Sequence, residues 1–203
     1  MLAASDLECE RGGRTLFRSL SFALQGGELL RIAGANGSGK TSLLRILCGL
    51  LPPSGGEVRW NAVPIKALQE DYSRQLVYLG HAPAVKDDLT AVENLAVACR
   101  LAGNPQPQSA LRDALAQLGL EGEEQPVRKM SQGQRRRAAL ARLAVSASIP
   151  LWLLDEPFSA LDFSGVDLLR GMLEQHLARG GAVALTTHQD AGMAAARVVD
   201  LDA

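Results

Sequence analysis

The chain has 203 residues, 47% of them hydrophobic and 21% charged, with a formal net charge of −1. That is enough chain for one large core, or a core with a small lobe, and the balance excludes a disordered polypeptide. A charge near zero removes the electrostatic case for nucleic acid as the main partner, and no apolar run approaches the ~18 residues of a membrane span. Cys9, Cys48 and Cys99 are odd in number, far apart and without CxxC spacing. They read as small buried hydrophobes in a reducing cytosol, not as metal ligands or a disulfide framework. The acidic first residues carry no apolar stretch, so no signal peptide is expected.

In chain order, residues 1 to about 30 read as short β-strands separated by turns. Arg11-Gly12-Gly13-Arg14 and Gln25-Gly26-Gly27-Glu28 are turn chemistry, and residues 20–24 alternate between faces. Residues 29–33 form an apolar strand that runs into Gly34-Ala35-Asn36-Gly37-Ser38-Gly39-Lys40-Thr41, and the apolar residues after Ser42 recur at helical spacing. Gly49 and Pro52-Pro53-Ser54-Gly55-Gly56 end that helix. Short strands follow at 57–60 and 76–79.

From Thr90 to about Ser131 the pattern becomes helical. Leu95, Cys99 and Leu101 share one helical pattern, and Leu111, Leu115 and Leu118 a second, with Gly103-Asn104-Pro105-Gln106-Pro107 between them. They predict a small helical lobe inserted between strands, and a third helix runs from 132 to about 145. The continuous apolar run 151–154 predicts a parallel strand buried on both faces. Residues 163–179 predict a helix with Val166, Leu169, Met172, Leu173 and Leu177 toward the core, stopped by Gly180-Gly181. His176 is placed on its exposed face. A strand at 182–186, a short helix and a strand at 198–201 close the chain. Strands alternating with helices predict an α/β fold with a mainly parallel core.

The stretch 34–41 sits between a strand and a helix, the context of a phosphate-binding P-loop. Its glycines let successive N–H groups curl toward phosphate oxygens, and the helix adds its positive dipole end. Lys40 then reaches the β- and γ-phosphates and the Thr41 hydroxyl ligates Mg²⁺. The strand 151–154 ends in Asp155-Glu156, where strand termini of such sheets meet the ligand crevice. Asp155 is the candidate Mg²⁺ partner and Glu156 the candidate base that accepts a proton from the attacking water or positions it. His188, just after the strand 182–186, is placed to hydrogen-bond a γ-phosphate and that water. Ser131-Gln132-Gly133-Gln134 opens a helix with Ser131 as N-cap, a second phosphate-binding helix end. One nucleotide needs one such helix, so the second suggests service to the nucleotide of another copy. Arg135, Arg136 and Arg137 read alternatively as a solvated helix face or, ranked lowest, a nucleic-acid patch.

Together these stretches resemble the nucleotide-binding subunit of an ABC transporter, over nearly the whole chain. Residues 34–41 resemble Walker A, 151–156 Walker B with its catalytic glutamate, and 130–134 the signature motif. Ser159-Ala160-Leu161-Asp162 resembles the D-loop and His188 the switch histidine. The resemblance implies an α/β P-loop NTPase of ABC type: a mainly parallel sheet core, an N-terminal antiparallel β part and an inserted small helical subdomain. A single domain 1–203 then divides into a core, 1–88 and 147–203, and a helical subdomain, 89–146. It implies ATP and Mg²⁺, with nucleotide bound by Gly34, Ala35, Asn36, Gly37, Ser38, Gly39, Lys40, Thr41 and Ser42. Lys40, Glu156 and His188 are the implied catalytic residues. Two copies sandwich two ATPs, each held also by Ser131, Gln132, Gly133, Gln134 and Asp162 of the other copy. The helical lobe and the loop before it resemble the surface that grips a membrane subunit.

Three positions depart from the family pattern. His81 replaces the glutamine that serves Mg²⁺ and water, and takes its place as a metal candidate. Gln132 replaces the first signature glycine. The adenine-stacking aromatic near residues 10–12 is absent, and Arg11 stands there to stack instead. With Cys9-Glu10-Arg11, Thr15-Leu16-Phe17, Leu79-Gly80-His81, the stretch 89–95 and Gln134-Arg135-Arg136-Arg137, the chain resembles the ATP-binding subunit of the bacterial haem exporter of cytochrome c maturation. That implies a peripheral protein on the cytoplasmic face of the inner membrane, paired with integral membrane subunits, without nucleic acid. Its ATP cycle serves haem export or release of a haem-loaded periplasmic chaperone. Rival readings are an ABC ATPase for another cargo, a soluble ABC ATPase acting on DNA or ribosomes, and a small-molecule P-loop kinase.

Overall fold

The structure, a computed structural model, describes residues 1–121, 124–187 and 192–202. Strands β1 (Leu2–Arg11) and β2 (Arg14–Leu24) form an antiparallel hairpin. Gly12 and Gly13 close it with φ of 58° and 73°, the double positive φ of a two-residue hairpin turn. These strands run 10 and 11 residues, longer than the short strands expected, because the hairpin pairs along its length despite bulges. β4 (Gly55–Trp60) pairs with the other edge of β1, and β5 (Val63–Pro64) extends the sheet. The second sheet is parallel throughout, in the order β6 (Leu76–Leu79), β7 (Leu151–Asp155), β8 (Ala182–Thr186), β3 (Leu29–Ala33) and β9 (Arg197–Asp200).

Helix α1 (Lys40–Leu47) lies between the two sheets. Its Leu43, Leu44, Ile46 and Leu47 share one core with Leu2, Leu7 and Leu24 of the first sheet and Leu30, Ile32 and Leu153 of the second. The short helices α2 (Ile65–Leu68) and α3 (Glu70–Ser73), which no periodicity announced, place Tyr72 against the end of α1, where its hydroxyl donates to Leu47 O at 2.6 Å. On the far face of the parallel sheet, Trp152, Leu154, Val183 and Leu185 pack against α6 (Gln132–Ala144) and α7 (Phe163–Ala178). Successive residues of β7 and β8 thus point into different cores, which is why both strands are apolar without alternation.

The helical lobe packs α4 (Ala91–Leu101), α5 (Gln108–Gln117) and α6 around Leu95, Cys99, Leu111, Leu115 and Met130. Thr90 and Glu93 form a capping box at the start of α4. Leu101, grouped by pattern with Leu95 and Cys99, is 84% exposed. Two residues beyond Cys99 is about 200° round the helix, off the buried face. His176 is corrected the other way: it is 3% exposed, because it follows Leu169 and Leu173 in the same i, i+4, i+7 stripe. Of the short helix expected after Thr186, residues 188–191 lie outside the described residues, and 192–196 are not helical. Cys9 and Cys99 are buried in these cores, and Cys48 is half-buried. Among the described residues no helix is long and apolar enough to cross a membrane.

Candidate nucleotide site

β3 delivers the chain into residues 34–39 and α1 carries it away from Lys40. Gly34, Gly37 and Gly39 have φ of 140°, 83° and 110°, which only glycine adopts without strain. A Cβ on Gly34 would lie 2.5 Å from Ser38 Oγ, so the loop closes on itself at that point. Ser38 Oγ is buried without a hydrogen-bond partner among the described residues. Lys40 Nζ donates to Gly34 O at 2.7 Å and Ala35 O at 2.9 Å, folding its cation over the loop. Ala35 N in turn donates to the Asp202 carboxylate, just past β9. Asn36, Gly37, Gly39, Lys40, Thr41 and Ser42 line a cleft of about 500 Å³ together with Leu16, His81, Asp155 and Glu156. Arg11, at the end of β1, is exposed and is not among the lining residues.

The ends of β7 and β8 furnish the acidic wall. Asp155 is 2% exposed and receives two hydroxyls: Thr41 Oγ1 donates to Oδ2 at 2.7 Å, and Thr186 Oγ1 donates to Oδ1 at 2.8 Å. Thr186 Oγ1 also accepts from Glu156 N at 2.8 Å, so one hydroxyl donates to one acidic residue and accepts from the next. This follows from strand order, since β8 lies between the loop strand β3 and the Asp155 strand β7. Glu156 has φ of 49°, a left-handed conformation costing a non-glycine residue about 1–3 kcal/mol. Thr41 Oγ1 and the Asp155 carboxylate offer hard oxygen donors suited to a divalent cation such as Mg²⁺; the imidazole of His81, which also lines the cleft, is a softer donor. His188 lies outside the described residues.

Ser131 caps α6 in a reciprocal box: Gln134 N donates to its Oγ at 3.2 Å, and Ser131 N donates to Gln134 Oε1 at 2.9 Å. Ser131 and Gln132 are exposed, and none of residues 131–134 lines the Lys40 cleft. Gly133 runs so close to the 159–162 turn that a Cβ on it would lie 3.1 Å from Ala160 O. The arginines that follow are not a solvated face. Arg135 pairs with Asp87 at 3.1 Å, Arg136 is 2% exposed, and Arg137 pairs with Asp162 and donates to Leu118 O at 3.0 Å. Each guanidinium has an acceptor from another element, and this turns an apparently polar helix face inward. Asp162 caps α7 by accepting from Gly165 N at 3.0 Å, and the Arg137 hydrogen bond holds its carboxyl below the usual carboxylate value.

The sequence model of the ABC transporter family matches residues 17–159. The chain is 53% identical to the cytochrome c biogenesis ATP-binding export protein CcmA of Nitrosomonas europaea, over 98% of this chain and 93% of that one. To the CcmA of Dechloromonas aromatica it is 52% identical, over 99% and 98%. The chain belongs to the ABC transporter family, among its cytochrome c biogenesis ATP-binding export proteins.

Solved structures agree in fold. An ATP-binding subunit of an ABC transporter superposes with TM-score 0.82 at 25% identity, covering 93% of this chain and 79% of that one. The ATP-binding cassette MJ0796, solved as a dimer in a post-hydrolysis state bound to ADP and Pi, gives 0.81 at 22%, covering 93% and 88%. In this ABC cassette the structure brings together Lys40, Thr41, Asp155, Glu156 and His81, and sets residues 131–134 apart from them. Sequence reasoning missed Thr186, Leu16 and Arg136 as members of the site. A threonine ending a strand and a leucine in a hairpin carry no signal, and three successive arginines read as a solvated face or, ranked lowest, a nucleic-acid patch.

Proposed function

We propose that this chain is the ATP-hydrolysing subunit of a membrane ABC complex for cytochrome c maturation, which powers haem export or the release of a haem-loaded periplasmic chaperone. The observation that carries the ATPase reading is the convergence on one cleft of a glycine cradle, the Lys40 cation, a buried carboxylate held by two hydroxyls and Glu156 beside it. The relatives' names carry the cytochrome c part. In this reading the N–H groups of the loop and the start of α1 hold the ATP phosphates, and Ser38 lies under them. Lys40 exchanges its two loop carbonyls for β- and γ-phosphate oxygens. Thr41 and Asp155 would hold Mg²⁺, Asp155 directly or through a water, with His81 as a further candidate. When bound, the ion neutralises charge on the phosphate oxygens. Glu156 orients the attacking water and accepts its proton, with ADP and phosphate as products. His188 is assigned the γ-phosphate and Arg11 the adenine face.

A second copy completes each site: Ser131, Gln132, Gly133 and Gln134 present a helix N-terminus to its nucleotide, with Asp162 alongside. The exposure of Ser131 and Gln132 supports this, and so does the dimeric form in which MJ0796 was solved. The complex sits on the cytoplasmic face of the bacterial inner membrane, where integral membrane subunits meet the helical lobe and the loop before it. That loop is fixed to the lobe: Asn94, buried at the start of α4, accepts from Lys86 N at 2.6 Å and donates to Lys86 O at 3.0 Å.

The test uses Glu156→Gln, tagged and recovered from native membranes with ATP present. We expect bound ATP, a dimer by light scattering and small multi-span subunits by mass spectrometry. A permease of another kind would keep the ATPase and discard haem. A chain that stays monomeric with ATP, or that is recovered only with nucleic acid or ribosomes, would overturn the transporter reading.

A further inference from the structure

Arg136 stands five residues into the helix that Ser131 opens, yet its guanidinium ends in the fork between two strand ends. Nε donates to Pro157 O at 3.3 Å, Nη1 to Gly80 O and His81 O, both at 3.1 Å, and Nη2 to Asp155 O at 3.1 Å and Glu156 O at 2.6 Å. An arginine has five N–H donors, and here every one meets a main-chain carbonyl. The acceptors lie on two loops leaving the C-terminal ends of β6 and β7, neighbouring strands that pair Leu79 with Leu154. A side chain serving only to fill this space would need no such fork, and a buried charge is costly without it.

We propose that Arg136 is a positioning residue for Glu156: it holds the Glu156 main chain in the conformation from which the carboxylate reaches the attacking water. This rests on the ATPase reading above. The left-handed φ of 49° at Glu156 persists only if its surroundings over-determine it. Three bonds do so: its N–H donates to Thr186 Oγ1 at 2.8 Å, and its carbonyl accepts from Arg136 Nη2 at 2.6 Å and, within the following turn, from Ser159 N at 3.1 Å. Of the two on the carbonyl only the Arg136 bond ties it to α6; without it the carbonyl is held by its own turn alone, and the peptide relaxes toward negative φ, which swings the side chain away from the cleft. The same guanidinium fixes the His81 peptide, so both cleft-lining loops are held to α6 through one side chain. Burial pushes the guanidinium below its ordinary value, and Asp155 and Glu156 counter that, so the charge stays in place.

The test is Arg136→Lys in the full chain. It keeps the charge but replaces the planar fork with three donors on one atom. We expect kcat for ATP hydrolysis to fall on the order of 100-fold, the scale of a 1 Å misplacement. The equilibrium dissociation constant for ATP should move less than about twofold, since ground-state binding is not the route. In a Glu156→Gln background the same substitution should cost little more, because its effect passes through that carboxylate. An unchanged kcat, a parallel loss of ATP affinity, or an undiminished cost in the Glu156→Gln background would each overturn the role. If Arg136→Lys does not melt as a folded protein, Arg136→Gly with millimolar guanidinium ion replaces it: recovery of kcat supports the proposal and no recovery overturns it. A wild-type chain that neither binds nor hydrolyses ATP would instead sink the ATPase reading.

Discussion

At the scale of single residues, Lys40 does two jobs with one ammonium. Its bonds to Gly34 O and Ala35 O brace the loop, and the same cation is the cleft's counter-charge for phosphate. Lys40→Ala should therefore weaken ATP binding at least about tenfold, roughly 1.4 kcal/mol, as measured by equilibrium titration with a fluorescent ATP analogue. Affinity within twofold of wild type would remove Lys40 from the site. Lys40, Thr41, Asp155 and Glu156 were legible because each belongs to a short local pattern. The first two follow a glycine-rich loop, and the others end an apolar run. Thr186 and Arg136 were not legible, because the groups that give them meaning lie 31 and 20 residues away in sequence. No window of local periodicity reaches that far.

At the scale of elements, α7 shows how a stripe decides burial regardless of polarity. His176 stacks on Trp152 of β7, ring centroids 3.8 Å apart and planes within 6°. Gly181 is required beside it, because a Cβ there would lie 2.2 Å from His176 Nε2. Burial holds the imidazole below its ordinary value, so the folded state favours the neutral ring. The unfolded chain binds the proton more readily, so this contribution to stability is complete above about pH 6.5 and is lost as pH falls through the folded value. Urea midpoints should drop more between pH 7 and pH 5 in the wild type than in His176→Phe. Equal drops would show that the ring does not titrate with unfolding. The helix and the stripe that buries His176 are both written in its own residues, whereas the ring it stacks on, Trp152, lies on a strand 24 residues earlier.

At the scale of the whole molecule, the alternation of strands and helices was enough to give the parallel core, since each apolar strand must be covered on both faces. The order of strands was not readable, because nothing local says that β8 lies between β3 and β7. That order places Thr186 against Asp155. Helix α6 belongs to two cores at once: Leu140 and Leu143 pack under the parallel sheet, and Ala138 and Ala141 pack in the helical lobe. Helix α1 likewise joins the two sheets into one apolar interior.

The two tryptophans of the chain fall one in each sheet. Trp60 on β4 sits 6.1 Å from the Tyr72 ring, and Trp152 on β7 lies face to face with His176. The molecule thus carries a separate chromophore for each of its layers, one of them three positions before Asp155. Trp60→Phe leaves the emission of the parallel sheet, and Trp152→Phe that of the antiparallel one. With α1 shared between the layers, the two single-tryptophan proteins should lose their native spectra at coincident denaturant midpoints once each variant's own stability is subtracted. Midpoints that stay apart would mean that α1 does not bind the layers into one cooperative unit. With ATP added, a spectral change confined to the Trp152 emission would report from within β7 itself, without any attached dye.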